Sequence, residues 1–272
     1  MSRLAQSSVP VLVIAVIVAG GASSAQASAA GPTPDSPTTS ADHPVAHAAE
    51  QPAPGSAGRV ALTFDDGPSR ITPEILQVLD RHDVTATFFM QGSNVARHPG
   101  TARQVARAGH VVGNHGYSHR DFSTMPVWTA ATEVALANAT IRSATGVRPE
   151  LFRYPFGRSS TTSDAVVRRQ GMGGGVGWNW SVPLAGDFEC PGAERVADYV
   201  EANAVDQGVV LLHDGNDVLD CGTDQLRYLD TVIPRLKARG FDFGVVAKGD
   251  GPEVVNNGVP VRVVAPRPSA TR

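Results

Sequence analysis

Two neighbouring carboxylates close an apolar run in RVALTFDDGP, Arg59 to Pro68, and Asp65 and Asp66 are the first residues whose type and placement could do chemistry. Successive residues on an extended backbone point in opposite directions, so one carboxylate can hold a cation while its neighbour accepts a proton. Asp-Gly is also a common turn signal, and alone the pair reads as a solvated turn. Further along, Asn114 to His119 reads NHGYSH and offers His115 and His119 four residues apart. On a helical turn two such imidazoles share a face and can grip one ion. With Asp66 they make a two-histidine, one-carboxylate set that leaves a position for water, as catalytic metal sites do. Zinc suits these nitrogen and oxygen donors best, with cobalt, nickel and iron as alternatives. An isolated HxxxH is equally consistent with two surface histidines, and its company with the paired aspartates is what favours a metal.

These residues need elements to position them. Val60, Leu62 and Phe64 alternate with smaller or polar residues and favour a strand that Gly67-Pro68 stops. Thr72 and Pro73 read as an N-cap and first helical position, before an apolar stripe of Ile75, Val78 and Leu79. The pattern then predicts a strand over 84–90, a helix through Val105, a strand over 110–113 and the longest helix over 128–144. A short strand at Leu151-Phe152, a helix over 163–170, a Gly-rich strand over 173–178 and a helix over 194–204 follow. A strand over 209–212, a helix over 225–239 and a strand over 241–246 complete the series. Strands separated by helices of this length pair in parallel, which gives an α/β chain folded as a distorted or incomplete (β/α)7 barrel with a single catalytic domain. An open doubly wound sheet is the alternative. Asp65 and Asp66, His115 and His119, Arg153 to Gly157, Asp187, and His213 with Asp214 all follow strands. In a β/α barrel that rim is the catalytic face.

TFDDGP at 63–68, HGYSH at 115–119, RYPFG at 153–157 and LLHD at 211–214 resemble, in order and spacing, the motifs of the polysaccharide deacetylases, the NodB homology domain of carbohydrate esterase family 4. The resemblance covers about residues 58–250. It implies a distorted β/α barrel and metal-dependent removal of acetyl groups from sugars. Carried over motif by motif, it implies Asp65 as general base, Asp66, His115 and His119 as metal ligands, Arg153 as the orienter of Asp65 and His213 as general acid. It further implies that the backbone N–H of Phe156 faces the developing oxyanion and that Leu212 lines the pocket for the acetyl methyl. The chain departs from the family pattern in three respects. Gly116 stands where Ser or Thr is usual, so metal affinity is expected to differ. A further family motif, which falls between RYPFG and LLHD and normally ends in Asp-Trp, is altered, with Asp187-Phe188 beyond a longer loop after Trp178-Asn179-Trp180. Asp187 is the carboxylate expected to tune His213, Phe188 a wall of the acetyl pocket, and Trp178 and Trp180 either sugar platforms or buried barrel aromatics.

The 272 residues suffice for a sizeable core, and 26 acidic against 23 basic residues give a net charge of −3, with no basic stripe for nucleic acid. Residues 1–27 have the order of a secretory signal, with Arg3, an apolar run from Val9 to Ala19 and Ala25-Gln26-Ala27 as the cleavage site. That run is short of the roughly 18 apolar residues that span a bilayer, so a secreted or cell-wall-associated protein without a stable membrane anchor is expected. Residues 28–57 read as a flexible Pro/Ala/Ser-rich linker, in which His43 and His47 are solvated, and 251–272 as a polar tail with an edge strand over 259–264. Cys190 and Cys221, the two cysteines, are expected to form a disulfide that braces the acid side of the cleft. The expected partner is an acetylated glycan, peptidoglycan or chitin oligomers first and acetylated xylan as the O-linked variant, acted on by a monomer. A glycan-binding module without turnover is the reading from another class. Retained Asp65 and His213 argue against it, since a binder needs neither base nor acid.

Overall fold

A computed structural model describes residues 55–178, 187–215, 221, 224–249 and 261–266. The expected signal, most of the linker, Trp180 and much of the tail lie outside the described residues. Strand β1 (Gly58–Asp65) is buried along its whole length, as its near-continuous apolar sequence requires of a central parallel strand. It pairs in parallel with β2 (Thr87–Met90), β4 (Gly208–His213) and β5 (Phe241–Lys248), and β2 pairs with β3 (Val111–Asn114). The curl continues through single parallel bridges, Asn114 to Phe152 and Phe152 to Gly175. These bridges stand where the sequence predicts a short strand at Leu151-Phe152 and a Gly-rich strand over 173–178. Pro155 has no N–H to donate and the MGGGVG run offers few side chains to pack, so the ladder shrinks to one contact at each. The result is a curled α/β sheet, the distorted and incomplete barrel expected.

Helices α1 (Thr72–Arg81), α2 (Gly92–Arg97), α3 (Pro99–Arg107), α4 (Val127–Thr145), α5 (Thr161–Arg169), α6 (Ala193–Asn203) and α7 (Asp224–Ala238) alternate with these segments. One helix was expected through Val105, but Pro99 cannot continue α2 and instead opens α3. Thr72 is the first residue of α1 and not its cap; Ile71 takes that place with no side-chain bond. The Thr72 hydroxyl is engaged elsewhere, donating to Asp214 Oδ2 at 2.6 Å. The last strand, β6 (Val261–Val264), falls within the edge strand expected over 259–264, runs antiparallel to β5 and buries Val261 and Val263. No helix among the described residues is long and apolar enough to cross a membrane.

Strand alternation sorts the core. Val60, Leu62 and Phe64 pack outward with Ile75, Leu79 and Leu229 beneath the helices. Ala61 packs inward with Phe89, Val176, Val209 and Val246 in the barrel interior. Thr63 and Asp65 have the parity of Ala61, so β1 delivers the Asp65 carboxylate to the inner, upper end of the barrel.

Candidate metal centre and its flanks

Arg153 is fully buried and donates from Nη1 to Asp65 Oδ1 at 2.8 Å and to Thr63 Oγ1 at 2.7 Å. Its Nε and Nη2 reach the carbonyls of Val176 and Gly177, and the guanidinium lies 4.2 Å from the Phe89 ring centre. Every face of this cation is therefore satisfied, and it fixes the direction of one carboxylate oxygen while Oδ2 stays on the side of His115. Trp178 packs at the edge of this interior cluster, 5.8 Å from Arg153 and against Gly157, where an added Cβ would meet its ring at 2.7 Å. Of its two expected roles, the structure gives it the packing one.

The neighbouring carboxylates do not diverge as a regular strand would make them. Asp66 takes a left-handed backbone with φ 72, a conformation Asp tolerates better than most residues, and this swings its side chain back to the same site. Asp66 Oδ1 lies 3.3 Å from His115 Nε2 and 3.1 Å from His119 Nε2, and all three potential donor atoms fall within 4.8 Å of one another. His115 Nδ1 contacts the carbonyl of Arg153 at 2.8 Å, which makes Nδ1 the N–H and leaves the Nε2 lone pair aimed at Asp66. Buried Asp66 Oδ1 makes no hydrogen bond of acceptable geometry, so two electron-rich atoms face each other at a spot that only a proton or a cation would stabilise. Burial alone would raise the Asp66 carboxyl, but His115 and the other nearby imidazoles hold it below the usual carboxylate range. Burial alone would lower His115, yet Asp65 and Asp66 raise it. The donor set thus fits a divalent metal, with the third expected ligand, His119, also in left-handed backbone at φ 55.

At the end of β4, in register with Asp65, Asp187 receives the backbone N–H of His213 at 2.7 Å on Oδ2 and the His213 Nδ1 at 2.6 Å on Oδ1. Burial would depress this imidazole, but the Asp187 charge overrides it and pushes His213 up to about 9. Phe188 stands edge-on to the His213 ring at 5.2 Å and is half exposed. Cys190 and Cys221 form a disulfide across 31 residues, and Cys221 Sγ lies 3.6 Å from the Asp187 carbonyl. A bridge closing a loop of this size contributes roughly 2–4 kcal/mol. Replacing both cysteines by serine is therefore expected to lower the melting temperature by roughly 5–15 °C. Because the bridge contacts Asp187 and none of the three metal-donor candidates, any divalent-metal affinity of the Asp66–His115–His119 set is expected to stay unchanged, which calorimetric titration and a thermal melt together check.

Leu212 is not where the carried-over role requires it. It pairs with Phe64 and packs in the layer beneath the helices, while Leu211 pairs with Thr63 and shares the parity of His213. With two adjacent leucines, only the register against β1 decides which one turns toward the cleft. Phe156 sits at φ 58 with an exposed ring 4.6 Å from that of His119.

Asn94 and Glu133 escaped sequence reading, and Asp214 and Asn114, read only as a rim residue and a motif residue, were given no role. Asp214 receives the Thr72 hydroxyl, donates its own N–H to the Asp65 carbonyl at 3.0 Å, and crowds Gly67 so closely that an added Cβ would lie 2.1 Å from its carboxylate. Asn94 donates to the Asp66 carbonyl at 2.5 Å. Asn114 accepts the Gly116 N–H at 2.7 Å, and Glu133 accepts from the same histidine loop. Asp214 was legible as the neighbour of His213. Glu133 was legible as a lone acid on the apolar face of a long helix.

Comparison with known proteins agrees with this geometry. The pattern of the family described as polysaccharide deacetylase matches residues 53–174. The chitooligosaccharide deacetylase of Bradyrhizobium sp. (strain ANU 289) is 38% identical over 194 residues, covering 68% of this chain and 87% of that protein. The peptidoglycan-N-acetylglucosamine deacetylase of Listeria monocytogenes is 33% identical over 186 residues, and the match spans 37% of that longer protein. Among solved structures, a family 4 carbohydrate esterase from Streptomyces lividans in complex with acetate has a TM-score of 0.64 at 27% identity, over 78% of this chain and 99% of that one. By its shared motifs, its fold and its likeness to the Bradyrhizobium enzyme along most of that protein's length, this chain belongs to the polysaccharide deacetylase family.

Proposed function

We propose that this chain is a secreted, divalent-metal-dependent deacetylase that hydrolyses N-acetyl groups of an amino-sugar polymer, peptidoglycan or chitin oligomers. What supports the reading above all is one geometric fact. An Asp66–His115–His119 donor set adjoins an arginine-oriented carboxylate, Asp65, which pairs across the sheet with a carboxylate-bonded imidazole, His213. Asp66, His115 and His119 would hold the metal, zinc by donor type. When bound, it would supply Lewis-acid polarisation of the acetyl carbonyl and a more acidic water.

The chain's own residues supply the rest. Asp65, its Oδ1 tied to Arg153, takes a proton from the water that adds to the carbonyl carbon. The N–H of Phe156 is the donor that the family resemblance assigns to the oxyanion. His213, held and raised by the Asp187 carboxylate, delivers its proton to the leaving nitrogen as the C–N bond breaks. The products are acetate and a free amine. An amine leaves poorly without that proton, so a base together with an acid matches what the reaction requires.

Acetate release from chitin oligomers, peptidoglycan and acetylxylan, with and without chelator, tests the reading. The expected result is release from an N-acetylated polymer, loss of at least about 100-fold on chelation, and recovery with zinc. Preference for acetylxylan would move the assignment to an O-deacetylase. Glycan binding without any acetate release would replace the enzyme by a binding module. A signal peptide requires that protein from culture medium begin near residue 28, which N-terminal sequencing reads directly.

A further inference from the structure

Glu133 is a buried acid for which the chemistry above has no use. It is the sole acid on α4, on the face that also buries Ala130, Val134, Ala137 and Ile141. Its carboxylate accepts the backbone N–H groups of Tyr117 at 3.0 Å and Ser118 at 2.8 Å on Oε2, and the Ser118 hydroxyl at 2.6 Å on Oε1. All three donors lie in the loop between His115 and His119. The carbonyls of the same loop are held from the other side, Gly116 O by the N–H of Gly92 at 2.9 Å and Tyr117 O by that of Ser93 at 2.9 Å.

We propose that Glu133 is a positioning residue for the metal site: it clamps the 116–118 backbone so that His119 reaches the ion beside Asp66 and His115. The inference rests on the metal reading above. Gly116 at φ 75 and His119 at φ 55 put two left-handed residues in this loop. A non-glycine residue there costs roughly 1–3 kcal/mol and persists only where surrounding bonds over-determine it. A charged acceptor serving three donors is the strongest such restraint the loop has, because hydrogen bonds to an ionised group are about twice as strong as neutral ones. His115 is fixed by its own Nδ1 bond to Arg153 O, whereas the backbone carrying His119 follows directly on the clamped residues.

The test is zinc affinity of the metal-free protein, measured by competition with a chromophoric chelator, with the cobalt(II) visible spectrum as a second readout of ligand geometry. Glu133→Ala is expected to weaken zinc binding roughly 10–100-fold, the range seen when groups that orient metal ligands are removed. Glu133→Gln is expected to recover most of it, since one amide oxygen can accept both N–H groups while the NH2 meets the Ser118 hydroxyl. Should the alanine variant fail to fold by circular dichroism, Glu133→Asp decides: it keeps the charge and withdraws the carboxylate by one methylene, and is expected to bind zinc about tenfold more weakly. Wild-type affinity and an unchanged cobalt spectrum in the folded alanine or aspartate variant would overturn the role of Glu133. Failure of the wild type to bind zinc would overturn the metal reading itself, so the two failures are separate results.

Discussion

Asp65→Asn leaves a folded protein that still binds zinc and releases acetate roughly 10²–10⁴ times more slowly than the wild type. The asparagine oxygen can still accept from Arg153 Nη1, and Thr63, Val176 and Gly177 keep their bonds to the same guanidinium. Zinc affinity is expected to hold because the metal donors are Asp66, His115 and His119, with Asp65 Oδ2 farther off at 3.8 Å from His115 Nε2. What the substitution removes is proton-accepting capacity on the flank where water attacks. Arg153→Ala would be a poorer probe. Breaking a buried ion pair by deleting one partner costs roughly 3–5 kcal/mol, so lost activity could reflect lost folding. The checks are a thermal melt, a zinc titration and initial rates of acetate release on one N-acetylated substrate. A rate above about a tenth of the wild type would remove Asp65 from the role of base, given the usual size of general-base contributions.

The base side was readable because its signals are local. Val60, Leu62 and Phe64 announce a strand, Gly67-Pro68 ends it, and Asp65 is therefore at a rim before any contact is known. Asp66 was harder, since strand alternation sends it away from Asp65 and only the positive φ brings it back. Leu211 and Leu212 differ in nothing that a local pattern detects, and the pairing of Thr63 with Leu211 is a fact about two strands that lie far apart in the chain. Asn94 and Glu133 are supports of the same long-range kind, helix side chains whose partners are backbone atoms of Asp66 and of the histidine loop. The fold class survived these errors because it depends on the alternation of strands and helices, which persists even where Phe152 and Gly175 reduce a strand to a single bridge. Residues that do chemistry belong to short motifs, whereas residues that hold them are chosen by packing.

Asp187→Asn is expected to act on the acid flank alone and to show itself as a change in pH dependence. In the wild type, burial lowers His213 and the Asp187 carboxylate more than compensates, leaving it up at about 9 against an ordinary value of 6.5. Asparagine keeps an acceptor for one of the two His213 N–H groups but removes the largest of the charges that oppose burial, leaving only Asp66 and Asp65 to raise the imidazole, which therefore falls. The acid must be protonated to act, hence activity is lost as pH rises through the folded-state value, and that alkaline limb moves to lower pH in the variant. Above both values, each unit by which the imidazole falls costs about tenfold in protonated fraction and so in rate. A bound cation lowers His213 in both proteins alike, so the comparison between them keeps its sign. Stability follows the same direction. A histidine raised on folding contributes stability that is complete below its unfolded value of 6.5 and disappears as pH rises through about 9, so the wild type should lose more of its melting temperature across that window than the variant does. Rate profiles and melts at matched zinc loading check both parts. An alkaline limb in the same place for both proteins would mean that Asp187 orients His213 without tuning it.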